Sequence, residues 1–249
     1  DLPLMRWLQE AIWPAESRHV SAAFVRDGTL LAAAEMIRGG ITTCSDMYFH
    51  PEAAAEAFAA AGMRAVVGAV VLEFPTSYAS DPEDYLRKGL AARDRWQGHP
   101  LLGFSIAPHA PYTVSDESFR HVQTLADELE LPIHVHIHET AQEIADSLAA
   151  HGCRPLARLA RLGVLGSNLI GVHAVHVDTS DIELLARHGC SVAHCPTSNM
   201  KLASGIAPVP RLLAAGIPVG LGTDGAASNN RLDLLQEMRH AALLAKVGS

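Results

Sequence analysis

Residues 133–140 read IHVHIHET, an alternation of apolar and imidazole side chains that ends on a carboxylate. Side chains on a strand alternate with period two, so the spacing predicts Ile133, Val135 and Ile137 on one face and His134, His136 and His138 on the other. Such a strand packs on one side and presents chemistry on the other. Only one or two of the three imidazoles can sit at its C-terminal end. His134 reads as a core-bonded histidine, and His138 reads equally well as a ligand or a core group. His136, one step before the end and followed three residues later by Glu139, can hold a metal and leave the carboxylate free as a proton carrier beside it.

Six further segments share that strand's character: residues 41–45, 65–71, 101–107, 169–174, 191–194 and 219–222. Between them the apolar period shifts to that of helices, at 20–38, 51–61, 82–96, 116–129, 180–188 and 209–215. Gly62, Gly189 and Gly216 close helices and introduce strands, and Ser115 with Asp116 and Ser118 forms a cap. Strand and helix alternating along the whole chain imply a parallel sheet. Of the two parallel architectures, a (β/α)8 barrel suits the length, since it typically takes about 250 residues. The rival, an open doubly wound sheet, lacks its commonest use here because no glycine-rich phosphate turn is present. Seven strands are one short of a closed barrel, and the chain opens on Asp1 and ends within a helix begun near Arg231. The chain is therefore read as an excerpt, one partial barrel domain over residues 1–249, with the missing strand expected before Asp1.

Barrel chemistry gathers at the C-terminal ends of the strands. Those ends carry Asp46, His109, His136 with His138 and Glu139, His173 with His176, His194 and Asp224, whereas the opposite ends carry Gly40, Pro132 and Pro218. This asymmetry favours a metal-assisted active site over a scaffold. His173 reads as a site residue and His176 as its support. Asp224, in the turn LGTDGAASNN, supplies a carboxylate at the same rim, and His109, between two prolines, suits a substrate contact. Asp46 reads as an orienting group, His194 and Asn199 as pocket lining, and Lys201 as solvated.

The composition fits that reading. Fourteen histidines stand against 19 lysines and arginines, the formal net charge is −8, and the basic residues are scattered. That distribution argues against nucleic acid and anionic membranes as partners and for a small-molecule substrate. Four cysteines without C-x-x-C spacing point to a reducing, cytoplasmic setting, and no run approaches a membrane span. A serine-hydrolase elbow is absent.

The stretches DLPLMRWLQEAIWPAE, PHAPYTVS, HIHETAQE, GVHAVH, HCPTSNMKLASGIAPV and LGTDGAASNN, in that order, resemble the 5-methylthioadenosine/S-adenosylhomocysteine deaminases of the amidohydrolase superfamily. The resemblance implies a metal-dependent (β/α)8 barrel with one divalent ion, zinc or a related metal, and a homo-oligomer acting on a nucleoside. It implies His136 and Asp224 as metal ligands, Glu139 as proton shuttle and His173 as the group polarising the attacking oxygen, with Asp224 also handling the water proton. Glu139 and Asp224 would also contact substrate, alongside His109, Glu16 through ribose hydroxyls and Trp7 packed on the nucleoside. Two further ligands, an H-x-H pair on the first strand, and a flanking β-rich domain are expected outside this stretch. S-adenosylhomocysteine carries a carboxylate that would call for an arginine, and residues 71–80 supply none, so a neutral methylthio group is expected in preference. Deaminases of guanine-like or pterin rings and triazine chlorohydrolases share the scaffold and stay open. So does a non-enzyme, an inactive barrel serving as an assembly subunit, against which the set His136, Glu139, His173 and Asp224 argues.

Overall fold

Seven strands lie side by side in chain order, every neighbouring pair parallel: β1 (Thr43–Tyr48), β2 (Arg64–Val71), β3 (Leu102–Pro108), β4 (Ile133–Ile137), β5 (Leu169–His173), β6 (Ser191–His194) and β7 (Val219–Leu221). They come from a computed structural model that describes residues 2–248. The helices are α1 (Leu4–Trp7), a π turn at Leu8–Ile12, α2 (Trp13–His19), α3 (Ala22–Arg38), α4 (Pro51–Ala61), α5 (Pro82–Trp96), α6 (Asp116–Leu129), α7 (Ala141–His151), α8 (Pro155–Arg161), α9 (Thr179–His188), α10 (Pro196–Lys201), α11 (Val209–Ala214), α12 (Ala226–Asn229) and α13 (Leu234–Val247).

A doubly wound sheet reverses its strand order once; this one never does. It is also strongly curved. Ser45 Oγ on β1 lies 3.2 Å from His134 Nδ1 on β4, although three strand spacings would separate them by about 14 Å in a flat sheet. The architecture is a partial (β/α)8 barrel of seven strands, and among the described residues β1 and β7 do not pair with each other.

The period-two reading of β4 holds. Ile133, Val135 and Ile137 join a buried cluster with Phe119 of α6, Leu156 and Leu159 of α8 and Leu185 of α9. His134 and His136 line the barrel cavity instead. A second cluster packs α3, α4 and α5 against β1 and β2 through Met36, Phe58 and Tyr85. The glycines expected after helices do their work: Gly62 and Gly189 adopt left-handed backbone, φ 68° and 69°, as helix caps. Ser115 accepts from Ser118 N as the cap of α6.

Three expectations need correction. The first strand runs from Thr43 to Tyr48 rather than over 41–45, because Gly39 and Gly40 extend the turn after α3. Asp46 therefore sits inside β1, not at its end. His138 does not share the face of His134 and His136. Its φ of 51° breaks the extended chain, and its ring turns into the helical layer. There Leu156 N donates to Nε2 at 3.0 Å, which places the ring proton on Nδ1, 3.3 Å from Asp181 Oδ2.

Asp181 also receives Nε and Nη2 of Arg154, at 2.9 and 2.6 Å, and caps its own helix by accepting from Asp178 N. Burial would raise its carboxyl; the bonds from His138 and Arg154 outweigh burial and hold it down to about 2. A carboxyl depressed on folding stabilises at neutral pH, and that contribution fades as pH falls from about 4 toward about 2. Asp181→Asn leaves Arg154 without its buried partner and is expected to cost about 3 kcal/mol in urea unfolding at pH 7. The difference from wild type should shrink as pH drops toward 2; a difference that persists unchanged contradicts the assignment.

Candidate active site

The C-terminal ends of the strands open into one cavity of about 550 Å³. Trp7, Glu16, His109, His136, Glu139, His173 and Asp224 all line it, so every residue singled out from the sequence as catalytic, ligating or substrate-binding is brought to one place.

His136 reaches the cavity by strand parity. Its Nδ1 lies 2.7 Å from the carbonyl oxygen of His109, which only accepts, so the proton is on Nδ1 and the Nε2 lone pair is free. Burial, reinforced by the neighbouring His173, lowers its pKa and keeps the ring neutral. His109 is handled similarly: Thr113 Oγ1 donates to Ala110 O and so accepts from His109 Nδ1 at 2.8 Å. Burial pushes this imidazole down to about 3.

His173 arrives differently. Leu169 packs outward, Ile170 and Val172 line the cavity, and parity alone would send His173 outward with Leu169. Left-handed backbone at His173 (φ 73°) and Ala174 (φ 46°) breaks the extended geometry, and the ring enters the cavity. Its Nδ1 donates to Asn199 Oδ1 at 2.8 Å. Nε2 faces Glu139 Oε2 at 3.6 Å and Asp224 Oδ2 at 3.9 Å. Burial pulls the His173 pKa down, but the carboxylates of Glu139 and Asp224 outweigh it and raise it above its ordinary value. The rings of His136 and His173 stack, centroids 5.4 Å apart.

Asp224 follows β7 on a left-handed turn, φ 60°. Its Oδ2 accepts from Ser198 Oγ at 2.6 Å and Ser228 Oγ at 3.0 Å, and its Oδ1 from Gly225 N at 2.6 Å. Burial would raise its pKa; the charge of His173 and the Ser198 bond lower it, so it stays a carboxylate. Glu139 is buried, with Ser204 Oγ donating to Oε1 at 3.3 Å. Also lining the cavity, Tyr48 donates to Glu16 Oε1 at 2.7 Å, and burial raises the Glu16 pKa.

Other sequence readings fare differently. His176 is a support, its Nε2 2.7 Å from Ser204 O. His194 and Asn199 do not line the cavity: His194 is buried, and Asn199 stands behind His173. Lys201 is exposed yet bonded to Asn230 Oδ1 and Ala227 O. Burial pushes the Asp46 carboxyl up to about 6. Sequence reasoning passed over Ser198, Ser228 and Asn199 as partners of Asp224 and His173. Nothing in a serine's spacing tells which carboxylate it will meet across the barrel.

His136 Nε2 and the Asp224 carboxylate are suitable donors for a zinc-like divalent ion. A catalytic zinc needs about three protein ligands, and among the described residues no group of three or more His, Cys, Asp or Glu is arranged to hold a metal. The donor chemistry fits; the donor number is that of part of a site.

Fold and cavity together define a parallel-barrel protein with its ionisable groups at the strand C-terminal rim. The model of the amidohydrolase family matches residues 1–249, and the chain belongs to that family. It is 54% identical over 246 residues to a 5-methylthioadenosine/S-adenosylhomocysteine deaminase of Saccharophagus degradans, covering 99% of this chain and 55% of that protein. It is 45% identical over 248 residues to a 5'-deoxyadenosine deaminase of Methanopyrus kandleri, covering 99% of this chain and 57% of the other. Among solved structures, an adenosine deaminase from Xanthomonas campestris with bound zinc superposes with a TM-score of 0.97 at 50% identity, covering 99% of this chain and 56% of that one. The chain thus spans a little over half the length of the relatives it matches.

With two donors, the 249-residue chain is expected to bind zinc weakly, and His136→Ala to remove most of what binding there is. Calorimetric titration checks this; tight one-to-one zinc binding by this stretch alone contradicts it.

Proposed function

We propose that the chain is the greater part of the catalytic barrel of a hydrolytic deaminase acting on adenine nucleosides, with 5'-methylthioadenosine as preferred substrate and S-adenosylhomocysteine as a second. One observation carries the reading: Glu139, His173 and Asp224 converge beside a neutral His136 whose Nε2 is open to the cavity. The names of the similar deaminases support the substrate class.

In this reading His136 and Asp224 are ligands of one divalent ion, zinc by analogy with the similar adenosine deaminase. Such an ion lowers the pKa of a water it binds from 15.7 toward about 7. Glu139, held at the end of β4, takes a proton from the attacking water and delivers it to the ring nitrogen beside the amino-bearing carbon. His173, raised in pKa by its two carboxylate neighbours, donates from Nε2 toward the oxygen that attacks. Asp224, kept ionised, accepts the second water proton and passes it to the amino group, which leaves as ammonia. His109, whose Nδ1 is taken by Thr113, contacts the purine through Nε2, while Glu16 accepts from ribose hydroxyls and Trp7 covers the nucleoside.

The 5' substituent is read from the neighbouring cavity of about 620 Å³, which shares Leu4, Trp13 and Tyr112 with the first. Its one arginine, Arg158, is already engaged by Asp116 Oδ1 at 2.6 Å and by the carbonyls of Pro111 and Val114 at 2.5 and 3.1 Å. Glu73 and Asp146 add negative charge. A neutral methylthio group suits that lining better than an amino-acid tail with its carboxylate.

Among the described residues no helix is long and apolar enough to cross a membrane. All four cysteines are free, in keeping with a reducing cytoplasm. Exposed Leu31 on α3 and Met238 and Val247 on α13 offer apolar surface for a homo-oligomer.

In the full-length zinc-loaded protein, Glu139→Gln is expected to keep its metal and lose about 100- to 10,000-fold in kcat. Turnover near that of wild type refutes the role. On the same protein, kcat/KM should be higher for 5'-methylthioadenosine than for S-adenosylhomocysteine, and the reverse order overturns the reading of the 5' cavity.

A further inference from the structure

Glu139 is the second residue after β4, beyond left-handed backbone at His138, and the main chain there is held on its carbonyl side by His176 N, which donates to His138 O at 2.8 Å. His138 has φ 51°, and its amide and that of Glu139 are both bound by a single side chain. Glu143 Oε1 accepts from His138 N at 3.1 Å and Oε2 from Glu139 N at 2.9 Å. Glu143 is buried, and burial raises its pKa.

Helix capping does not account for this arrangement. Thr140 is the N-cap of α7 and accepts from Glu143 N at 3.2 Å, one half of a capping box. The other half would have Glu143 return to the amide of Thr140. Its carboxylate reaches past the cap instead, to the two preceding residues. Together with the His176 amide on the carbonyl side, a carboxylate oriented this way fixes the peptide plane between His138 and Glu139, and with it the direction in which the Glu139 side chain leaves the main chain. The His138 ring is anchored by Leu156 N, and Glu139 Oε2 faces His173 Nε2 at 3.6 Å.

We propose that Glu143 is a positioning residue for Glu139, a carboxylate that binds the main chain at His138 and Glu139 and sets the angle at which the proton carrier enters the cavity. The proposal rests on the deaminase reading, because it gives Glu139 its task. Misplacing a reacting group by about 1 Å can cost about 100-fold in rate. The clamp needs two acceptor oxygens. Glu143→Gln keeps the shape but retains only one, and Glu143→Ala keeps neither.

The test uses the full-length zinc-loaded protein and 5'-methylthioadenosine. Expected is a graded loss of kcat, about 10-fold for Glu143→Gln and about 100-fold for Glu143→Ala, larger than any change in KM and with zinc content unchanged. Hydrogen exchange supplies a readout that needs no turnover: the amides of His138 and Glu139 should be slow in wild type, both fast in Glu143→Ala, and at least one of them fast in Glu143→Gln. A folded Glu143→Gln with wild-type kcat overturns the proposal, as does a kcat loss that only tracks lost zinc or lost folded protein. Should the variants fail to fold, fast exchange of those two amides in wild type overturns it, and slow exchange supports it. Absence of ammonia release by wild type would instead defeat the deaminase reading, while the exchange result would still decide the clamp.

Discussion

Left-handed backbone at the rim is the constraint from which the cavity takes its form. His138, His173 and Asp224 hold φ values of 51°, 73° and 60°, where a residue with a side chain is held at a cost of about 1–2 kcal/mol. Each deviation decides which side chain enters the cavity. At His138 it removes an imidazole from the barrel interior and leaves Glu139 next in line. At His173 it brings in an imidazole that strand parity would have sent outward. At Asp224 it turns the carboxylate back over the rim. Local bonds offset each cost: Glu143 beneath His138, Asn199 behind His173, and Ser198, Ser228 and Gly225 N around Asp224. Strain of this kind gathers at functional sites because the surrounding structure must over-determine it.

The electrostatics follow from that placement. At His109 and His136 burial outweighs the pull of Asp224 and holds the rings neutral, whereas His173, between two carboxylates, is raised. Two populations of imidazole within one cavity, one suited to donate a lone pair and the other a proton, give the division of labour that metal-assisted hydrolysis requires.

Much of this was legible in the sequence. Strands β4 and β6 and helices α4, α5 and α6 fall where period and caps put them, because parallel strands buried on both faces and amphipathic helices with Ser, Asp or Pro starts carry strong local signals. The rim set was legible because seven strands of one direction must end together. What escaped was set by tertiary structure. The helical stretch from Leu4 to His19 is interrupted by a π turn that no pattern announces. The side on which His138 and His173 project depends on single dihedral angles. The partners Ser198, Ser228, Asn199 and Glu143 act through contacts made only once strands and helices are assembled.

The central claim, that these groups were assembled to exchange a purine amine for oxygen, is tested most directly by ammonia release from the full-length protein with zinc. The panel is adenosine, 5'-methylthioadenosine, S-adenosylhomocysteine, guanine and a chlorotriazine. The account predicts ammonia from the adenine nucleosides, each with its hydroxypurine counterpart as product. No release from any of them, or release only from guanine or of chloride from the triazine, would contradict it.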